Sequence, residues 1–429
     1  MNHRVVISGL GVVAPNASTL DEFRAALREG RSGIRKIERL EELRFGCQVA
    51  GIPEGVEALA EKTFSEEERM AMNGNMTYAG LAAVEAWTDA GLELPEAGDD
   101  RVDWDTGAIV GTGIGGLDVV AERVVPLTDA GKVKRLGSTT VEQVMSSNCS
   151  AKIGGLFGLG NQVSTNSSAC TTGTEAIYSG YSRIRQGLAT RMLCGASEGS
   201  SHYIWAGFDA MRVMARGFND TPEEASRPMS ASAAGFVPGS GAGILVLESL
   251  ESAEQRGASI YAEVLGGAVN CGGHRMGGSM TAPNPTGVQR CIRGALADAG
   301  IDGDRIDAIS GHLTATMADP RELENWSLAL RRTPESLPPI TATKSLVGHA
   351  LGAAGAIESV AAILMLEGGF VHPARNCDDL HTEIEPYAAA VPHTTRELPG
   401  LDVIMKAGFG FGDVNACLVF KKWTAPTVH

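Results

Sequence analysis

The chain has 429 residues, 43% of them hydrophobic, and a net charge of −15. So long a chain exceeds one ordinary core and asks for two domains or a duplicated one. The acidic balance excludes the broad basic surface that non-specific nucleic-acid binding needs. Aromatic residues make up only 5% while glycines number 54, which favours close packing of small residues over an aromatic binding platform. At the N-terminus, MNHRVVISGLG lacks the charged and apolar regions of a signal peptide. With no run of eighteen or more apolar residues, no membrane span is expected. The eight cysteines show neither CxxC nor disulfide-scaffold spacing, which fits free thiols in a reducing cytoplasm.

In chain order, VVISGLGVV (5–13) reads as a strand and LDEFRAALREG (20–30) as a helix. YAGLAAVEAWTDAGL (78–92) is a helix and TGAIVGTG (106–113) a strand. QVSTN (162–166) then leads into a helix over 175–188, followed by the strands RMLCGASE (191–198) and GAGILVLESL (241–250). Such alternation predicts an α/β fold with a largely buried sheet. The second half repeats the order. SIYAEVLGGAV (259–269) is a strand and GVQRCIRGALADAGI (287–301) a helix; IDAISGH (306–312) matches TGAIVGTG. PITATKS (339–345) leads into an apolar helix from 348 to 366, and DVIMKAGFG (402–410) and VNACLVFKKW (414–423) close the half. An internal duplication is expected, residues 1–255 against 256–429, with its seam near 251–258. Segments 30–75 and 118–145 read as insertions in the first half.

Four stretches could carry chemistry. In NSSACTTGT (166–174) Cys170 sits where a strand turns into a helix among small residues. Ile177, Tyr181, Ile184 and Leu188 form the stripe that would pack this helix inward. Its N-terminus would then offer free N–H groups and a positive dipole end, a setting that lowers a thiol pKa. The alternative is a small buried hydrophobe. The helix from 348 is apolar on nearly every face yet carries Glu358, a carboxylate too costly to bury alone; Lys344 is the expected partner. His349, at the start of that helix, should be neutral and donate from one nitrogen, or merely cap the helix. In SGHLTATMADPRE (310–322) His312 follows a strand, and Thr314 and Thr316 could bond an extended polar chain, with the next helix starting at Asp319 or Pro320. KAGFGFGDVNACLVF (406–420) makes a tight glycine turn whose amides could form an oxyanion hole or simply a hairpin.

Taken together, SSACTTG, HLTAT, KSLVGHALGAAGAIE and GFGFG closely resemble the β-ketoacyl-acyl carrier protein synthases of the thiolase-like superfamily. FDAMRVMARGFNDTPEEASRP (208–228) resembles the elongating type I/II condensing enzymes, and the similarity runs over residues 4–422. The resemblance implies an α/β, thiolase-like duplicated fold in five αβαβα layers, in a cytoplasmic homodimer. It implies no bound cofactor, since the substrates ride on the phosphopantetheine of an acyl carrier protein. Cys170 matches the acyl-accepting nucleophile, and His312 and His349 match the histidines that hold the malonyl thioester carbonyl. Lys344 and Glu358 match a supporting pair, and Thr314 and Thr316 the phosphopantetheine contacts. Phe411 matches the gating phenylalanine whose N–H, with that of Cys170, forms the oxyanion hole, and Ile114 a position lining the acyl pocket. The implied reaction is decarboxylative condensation with malonyl carrier protein, in fatty acid or related acyl-chain synthesis.

Several positions depart from the family pattern. Leu313 stands for a glycine, Asp413 for another, and 227–243 lacks the usual charged residues. The acidic stretch 66–75 replaces basic residues, while Lys132, Lys134 and Arg135 offer another basic patch for an acidic carrier. Two rivals remain: a coenzyme A-dependent thiolase, which would want a second catalytic cysteine near the glycine-rich turn, where Cys417 is the nearest, and a non-catalytic chain-length-factor-like partner subunit, which would lack Cys170.

Overall fold

The computed structural model describes residues 2–96 and 98–425. Its strands are β1 (Val5–Val13), β2 (Thr106–Gly111), β3 (Val163–Ser164), β4 (Arg191–Glu198) and β5 (Gly241–Ser249) from the first half. The second half supplies β6 (Ala262–Cys271), β7 (Ala308–Ser310), β8 (Ile340–Thr341), β9 (Val403–Gly410) and β10 (Val414–Lys422). They run in the order β8-β7-β9-β10-β6-β1-β5-β4-β2-β3. Outward from the middle, each half follows one pattern: first, fifth, fourth, second, third strand. This is the duplication expected from the sequence. Within the sheet the halves meet where β1 pairs with β6, Val6 opposite Glu263 and Ile7 opposite Ala262.

The main helices are α1 (Leu20–Glu29), α2 (Gly74–Asp89), α3 (Asn148–Phe157), α4 (Thr172–Arg185), α5 (His202–Ala210), α6 (Pro285–Ala299), α7 (Asp319–Leu330) and α8 (Ala354–Gly368). α4 and α8 pack on each other and on strands of both halves, so they form the middle layer. α2 and α3 cover the outer face of the first half, and α6 and α7 that of the second. The layering is therefore αβαβα. Strand pattern explains it: β1 and β5 are buried along their whole length, as strands covered on both faces must be. On β9, Ile404 joins the central cluster, whereas Met405 and Ala407 join the outer one. By the two-residue period of a strand, Lys406 then faces the middle layer.

The start of α4 meets the start of α8 at two glycines. A Cβ on Gly173 would lie 2.5 Å from the Ala356 nitrogen, and one on Gly355 would lie 2.3 Å from Thr174 Oγ1. Small residues here let the helix N-termini touch, which brings the loops that precede them together.

Two expectations need correction. The helix after Cys170 ends at Arg185, and Leu188 lies beyond it, 53% exposed, after Gly187 turns the chain at positive φ. Ile177, Tyr181 and Ile184 do form the buried stripe. The apolar helix begins at 354, not 348: Gly348 (φ 72°) and Leu351 (φ 47°) hold His349 in irregular backbone, and a single 3₁₀ turn intervenes. Residues 351–368 are long and apolar enough to cross a membrane, yet 89% of that span is buried inside the protein. Segment 30–75 forms a small ribbon (Ile34–Lys36 with Val49–Gly51) and short helices, and 118–145 forms short helical turns. A further excursion, 199–240, carries α5 and packs Trp205, Met214 and Phe236 against Ile34 and Val49.

Candidate active site

Cys170 occupies a pinned corner between β3 and α4. Ala169 before it adopts φ 49°, uncommon for a residue with a Cβ. Local bonds hold the strain: Thr172 Oγ1 donates to the Ala169 carbonyl at 2.7 Å and accepts from the Ser168 N–H at 2.9 Å. Thr171 Oγ1 donates to the Ser168 carbonyl at 2.6 Å. The threonines of the motif thus build the turn. The Phe411 N–H lies near enough to the Cys170 sulfur to favour its thiolate. Gly410 permits this approach, since a Cβ there would lie 3.0 Å from the Cys170 nitrogen.

The sequence pointed to a lowered thiol pKa, and the structure reverses that. Burial pushes the Cys170 thiol up to about 11, while Lys344 and the Phe411 N–H pull the other way with less effect. Desolvation of the thiolate outweighs the helix end.

His312 leaves β7 through Gly311, and its loop is folded around two buried carboxylates of α7. Glu322 accepts from the N–H groups of His312 (2.7 Å) and Leu313 (2.8 Å). Asp319 accepts from Thr314 (2.9 Å), Ala315 (3.1 Å) and, from the 199–240 excursion, Met229 (2.9 Å). Burial and the neighbouring Asp319 push Glu322 up to about 7. Lys344 Nζ donates to the His312 carbonyl at 2.6 Å and to its Nδ1 at 3.3 Å, and pairs with Glu358 Oε1. An ammonium only donates, so Nδ1 accepts and the ring proton sits on Nε2.

His349 reaches the same tautomer by another route. Its Nδ1 accepts from the Leu351 N–H at 3.2 Å, which leaves Nε2–H as donor. Its backbone is clamped by the 227–243 segment, donating to the Val237 carbonyl at 2.7 Å and accepting from Gly239 at 2.9 Å. Burial, then the charge of Lys344, holds both histidines well below the usual imidazole range. The helix dipole invoked from sequence is not needed, since α8 starts five residues later. The two rings lie edge to face at 5.5 Å. Cys170, His312 and His349, from three separate loops, have ligand atoms within 4.8 Å of one another.

Such a trio could suggest a metal, but its donor set argues against one. Both Nδ1 atoms are already acceptors, so each Nε2 carries a proton and offers no lone pair. A divalent ion would also sit beside the Lys344 ammonium. The arrangement suits two neutral N–H donors next to a sulfur nucleophile, which can hold a carbonyl oxygen as negative charge grows on it.

Of the remaining candidates, Thr314 and Thr316 flank Ala315 and share a hydroxyl–hydroxyl bond of 2.9 Å at the half-buried edge of the His312 loop. Ile114 packs against a cluster that includes Phe236, Trp205 and Leu351. Phe411 packs at 6.1 Å against Phe208 of α5, the rings tilted by 54°. Cys417 is fully buried with the outer cluster, near Cys291 of α6, and so is not a second nucleophile at the site.

Two residues escaped the reading of the sequence. Glu198 ends β4, fully buried, and accepts from the N–H groups of Gly113 (2.9 Å), Ile114 (3.0 Å) and Gly352 (3.0 Å), tying the Ile114 loop to the turn before α8. Lys406 pairs with Glu358 Oε2 at 2.7 Å, so the expected Lys344–Glu358 pair is a triad. A charged residue inside an apolar strand was the available signal for both.

The beta-ketoacyl synthase N-terminal domain matches residues 2–253, and the C-terminal domain matches residues 261–378. The chain belongs to the beta-ketoacyl synthase family. It is 33% identical to the 3-oxoacyl-[acyl-carrier-protein] synthase 2 of Vibrio cholerae over 98% of this chain and 99% of that one. It is 35% identical to the chloroplastic 3-oxoacyl-[acyl-carrier-protein] synthase I of Arabidopsis thaliana, covering 97% of this chain and 86% of the relative. A type II polyketide ketosynthase, solved in complex with its acyl-carrier protein and bound to the hexaketide, superposes with a TM-score of 0.87 and 29% identity, covering 99% of this chain and all of that one. The beta-ketoacyl synthases are acyltransferases of the condensing class. Neither the thiolase nor the partner-subunit alternative is favoured.

Proposed function

We propose that this synthase condenses an acyl group held on Cys170 with malonyl carrier protein. The observation that carries the reading is the convergence, within 4.8 Å, of the Cys170 sulfur with a ring nitrogen of each of two neutral histidines. In the first half-reaction the Cys170 sulfur attacks the thioester carbonyl of an acyl carrier protein. The developing oxyanion is held by the N–H groups of Cys170 and Phe411, and the thiol proton ends on the departing carrier thiol. In the second, the malonyl thioester oxygen accepts from His312 and His349. The C–C bond to the carboxylate breaks, CO₂ leaves, and the electron pair becomes an enolate stabilised by those two donors. The enolate carbon attacks the Cys170 thioester, the same oxyanion site is used again, and the sulfur leaves and regains a proton from solvent. The product is a 3-oxoacyl chain two carbons longer.

On this reading Lys344 and Glu358 orient His312, Thr314 and Thr316 contact the phosphopantetheine arm, and Ile114 lines the acyl pocket. The enzyme acts as a cytoplasmic homodimer with no bound cofactor and serves fatty acid or related acyl-chain synthesis. A solved ketosynthase neighbour complexed with its carrier supports the choice of carrier-bound substrates. The test is intact mass after incubation with short acyl carrier proteins. The wild type gains one acyl group and Cys170→Ala gains none; no gain with any primer would return weight to a partner subunit.

A further inference from the structure

The condensation as written gives Lys406 no part, yet the chain buries it completely at the centre of the fold. Its Nζ donates to the carbonyl of Ala407 and lies 2.7 Å from Glu358 Oε2 as an ion pair. Glu358 thus holds one ammonium on each oxygen, Lys344 on Oε1 and Lys406 on Oε2. Burying a second lysine beside the first is costly, because like charges repel and both lose water; burial draws the Lys406 ammonium below the usual lysine range, and the Glu358 carboxylate opposes that and holds the charge. A carboxylate needs only one partner, so stability of the pair does not explain the second.

Geometry does. With Oε2 occupied from β9, the Glu358 carboxylate is fixed, and Lys344 keeps donors free for the carbonyl and Nδ1 of His312. The charged and titratable groups around the two rings are Lys344 ahead of α8, Glu358 on α8, Lys406 on β9, Asp319 and Glu322 on α7, Cys170 at α4 and Glu198 at the end of β4. Lys406 adds to Lys344 in opposing a positive charge on either ring.

Building on the condensation reading, we propose that Lys406 is a positioning residue whose fixed charge anchors Glu358 and keeps His312 and His349 as neutral Nε2–H donors. A proton on His312 Nδ1 would turn it from an acceptor into a donor facing the Lys344 ammonium, and the ring would leave its place. Removing the Lys406 charge should therefore let both rings protonate at higher pH.

The test compares full-length wild type with Lys406→Met and Lys406→Gln, glutamine keeping a hydrogen-bond donor without the charge. The pH profile of malonyl carrier decarboxylation should move its acid limb upward by roughly one unit in both variants, with the KM for malonyl carrier little changed. Histidine-selective ¹³C labelling gives a readout independent of turnover: the His312 and His349 signals, assigned with the single alanine variants, should begin to titrate at correspondingly higher pH. Limbs and titrations that coincide with wild type, with only a lower Tm, would overturn the proposal. A shift in the methionine variant that glutamine abolishes would also overturn it, by assigning the effect to a hydrogen bond. Wild type that titrates as described but neither loads nor decarboxylates would instead defeat the condensation reading.

Discussion

Gly410→Ala separates positioning from stability at the oxyanion site. Gly410 ends β9 without the positive φ that would forbid alanine, so only space is at issue. The new methyl carbon would lie 3.0 Å from the Cys170 nitrogen, 3.1 Å from Val414 Cγ2 and 3.3 Å from the Ser168 carbonyl. Ordinary contact begins at 3.4 Å, a shortfall of about 0.4 Å at the Cys170 amide. Relieving it moves β9 away from the α4 corner, and the Phe411 N–H moves with it. One extra methyl in a tight place costs about 1–3 kcal/mol, and a small overlap belongs near the lower end, a Tm loss of roughly 1–2 °C for a chain of this length. The catalytic cost is larger in proportion. A complete oxyanion donor is worth about 2.7–4 kcal/mol, and misplacing one by a few tenths of an ångström should forfeit a large part of that. Acyl loading of Cys170, followed by intact mass in a quenched time course, should slow by roughly 10- to 100-fold. A loading rate within about twofold of wild type would refute the assignment of the Phe411 amide.

Other expectations follow from the same geometry. His312→Ala and His349→Ala should each lower malonyl decarboxylation by roughly 10²–10³-fold, measured as CO₂ release, while Cys170 still loads; unimpaired decarboxylation would remove that histidine from the site. Ile114→Phe adds bulk against the Phe236 and Leu351 cluster and should shorten the longest primer that acylates Cys170, read from a primer series by mass. Burial pushes Glu85 up to about 7, against the N–H bonds it accepts from Val12 and Leu20. A carboxyl with a raised folded-state pKa takes up a proton on folding, so its contribution is present near pH 4.5 and lost as pH rises through about 7. Glu85→Gln should flatten the fall of Tm across that window; an unchanged slope would contradict the assignment.

Periodicity carried the fold. The stripe Ile177, Tyr181, Ile184 and the all-apolar helix around Glu358 announced two buried helices, the repeated strand–helix order announced the duplication, and the layering followed from the family resemblance. What periodicity could not supply was the balance of opposing effects at Cys170. A helix N-terminus was visible in the sequence, but the depth of burial that overrides it depends on residues hundreds of positions away. The same holds for His349, whose neutrality was expected for the wrong reason: a helix start was assumed where two positive-φ residues break the chain. Lys406 was in plain view inside DVIMKAGFG, yet its partner across the layer was not, because one strand register decides whether it faces α8 or the outer shell. The segment 227–243, which lacks the family's charged residues, instead ties Ser230 and Ser232 to Asp379, both hydroxyls bonding it (2.6 and 2.5 Å).

The raised thiol pKa of Cys170 bears on how the enzyme survives and how it can be blocked. Peroxide and simple alkylating agents react with thiolates, and a sulfur that stays protonated at neutral pH, tucked behind Phe411, presents them with almost none. The resting enzyme should therefore tolerate oxidants that disable exposed, acidic cysteines. Warheads that rely on intrinsic thiol reactivity should fare poorly against it. Electrophiles bearing a carbonyl that can enter the oxyanion site, and so draw the sulfur into attack as a thioester would, should fare well.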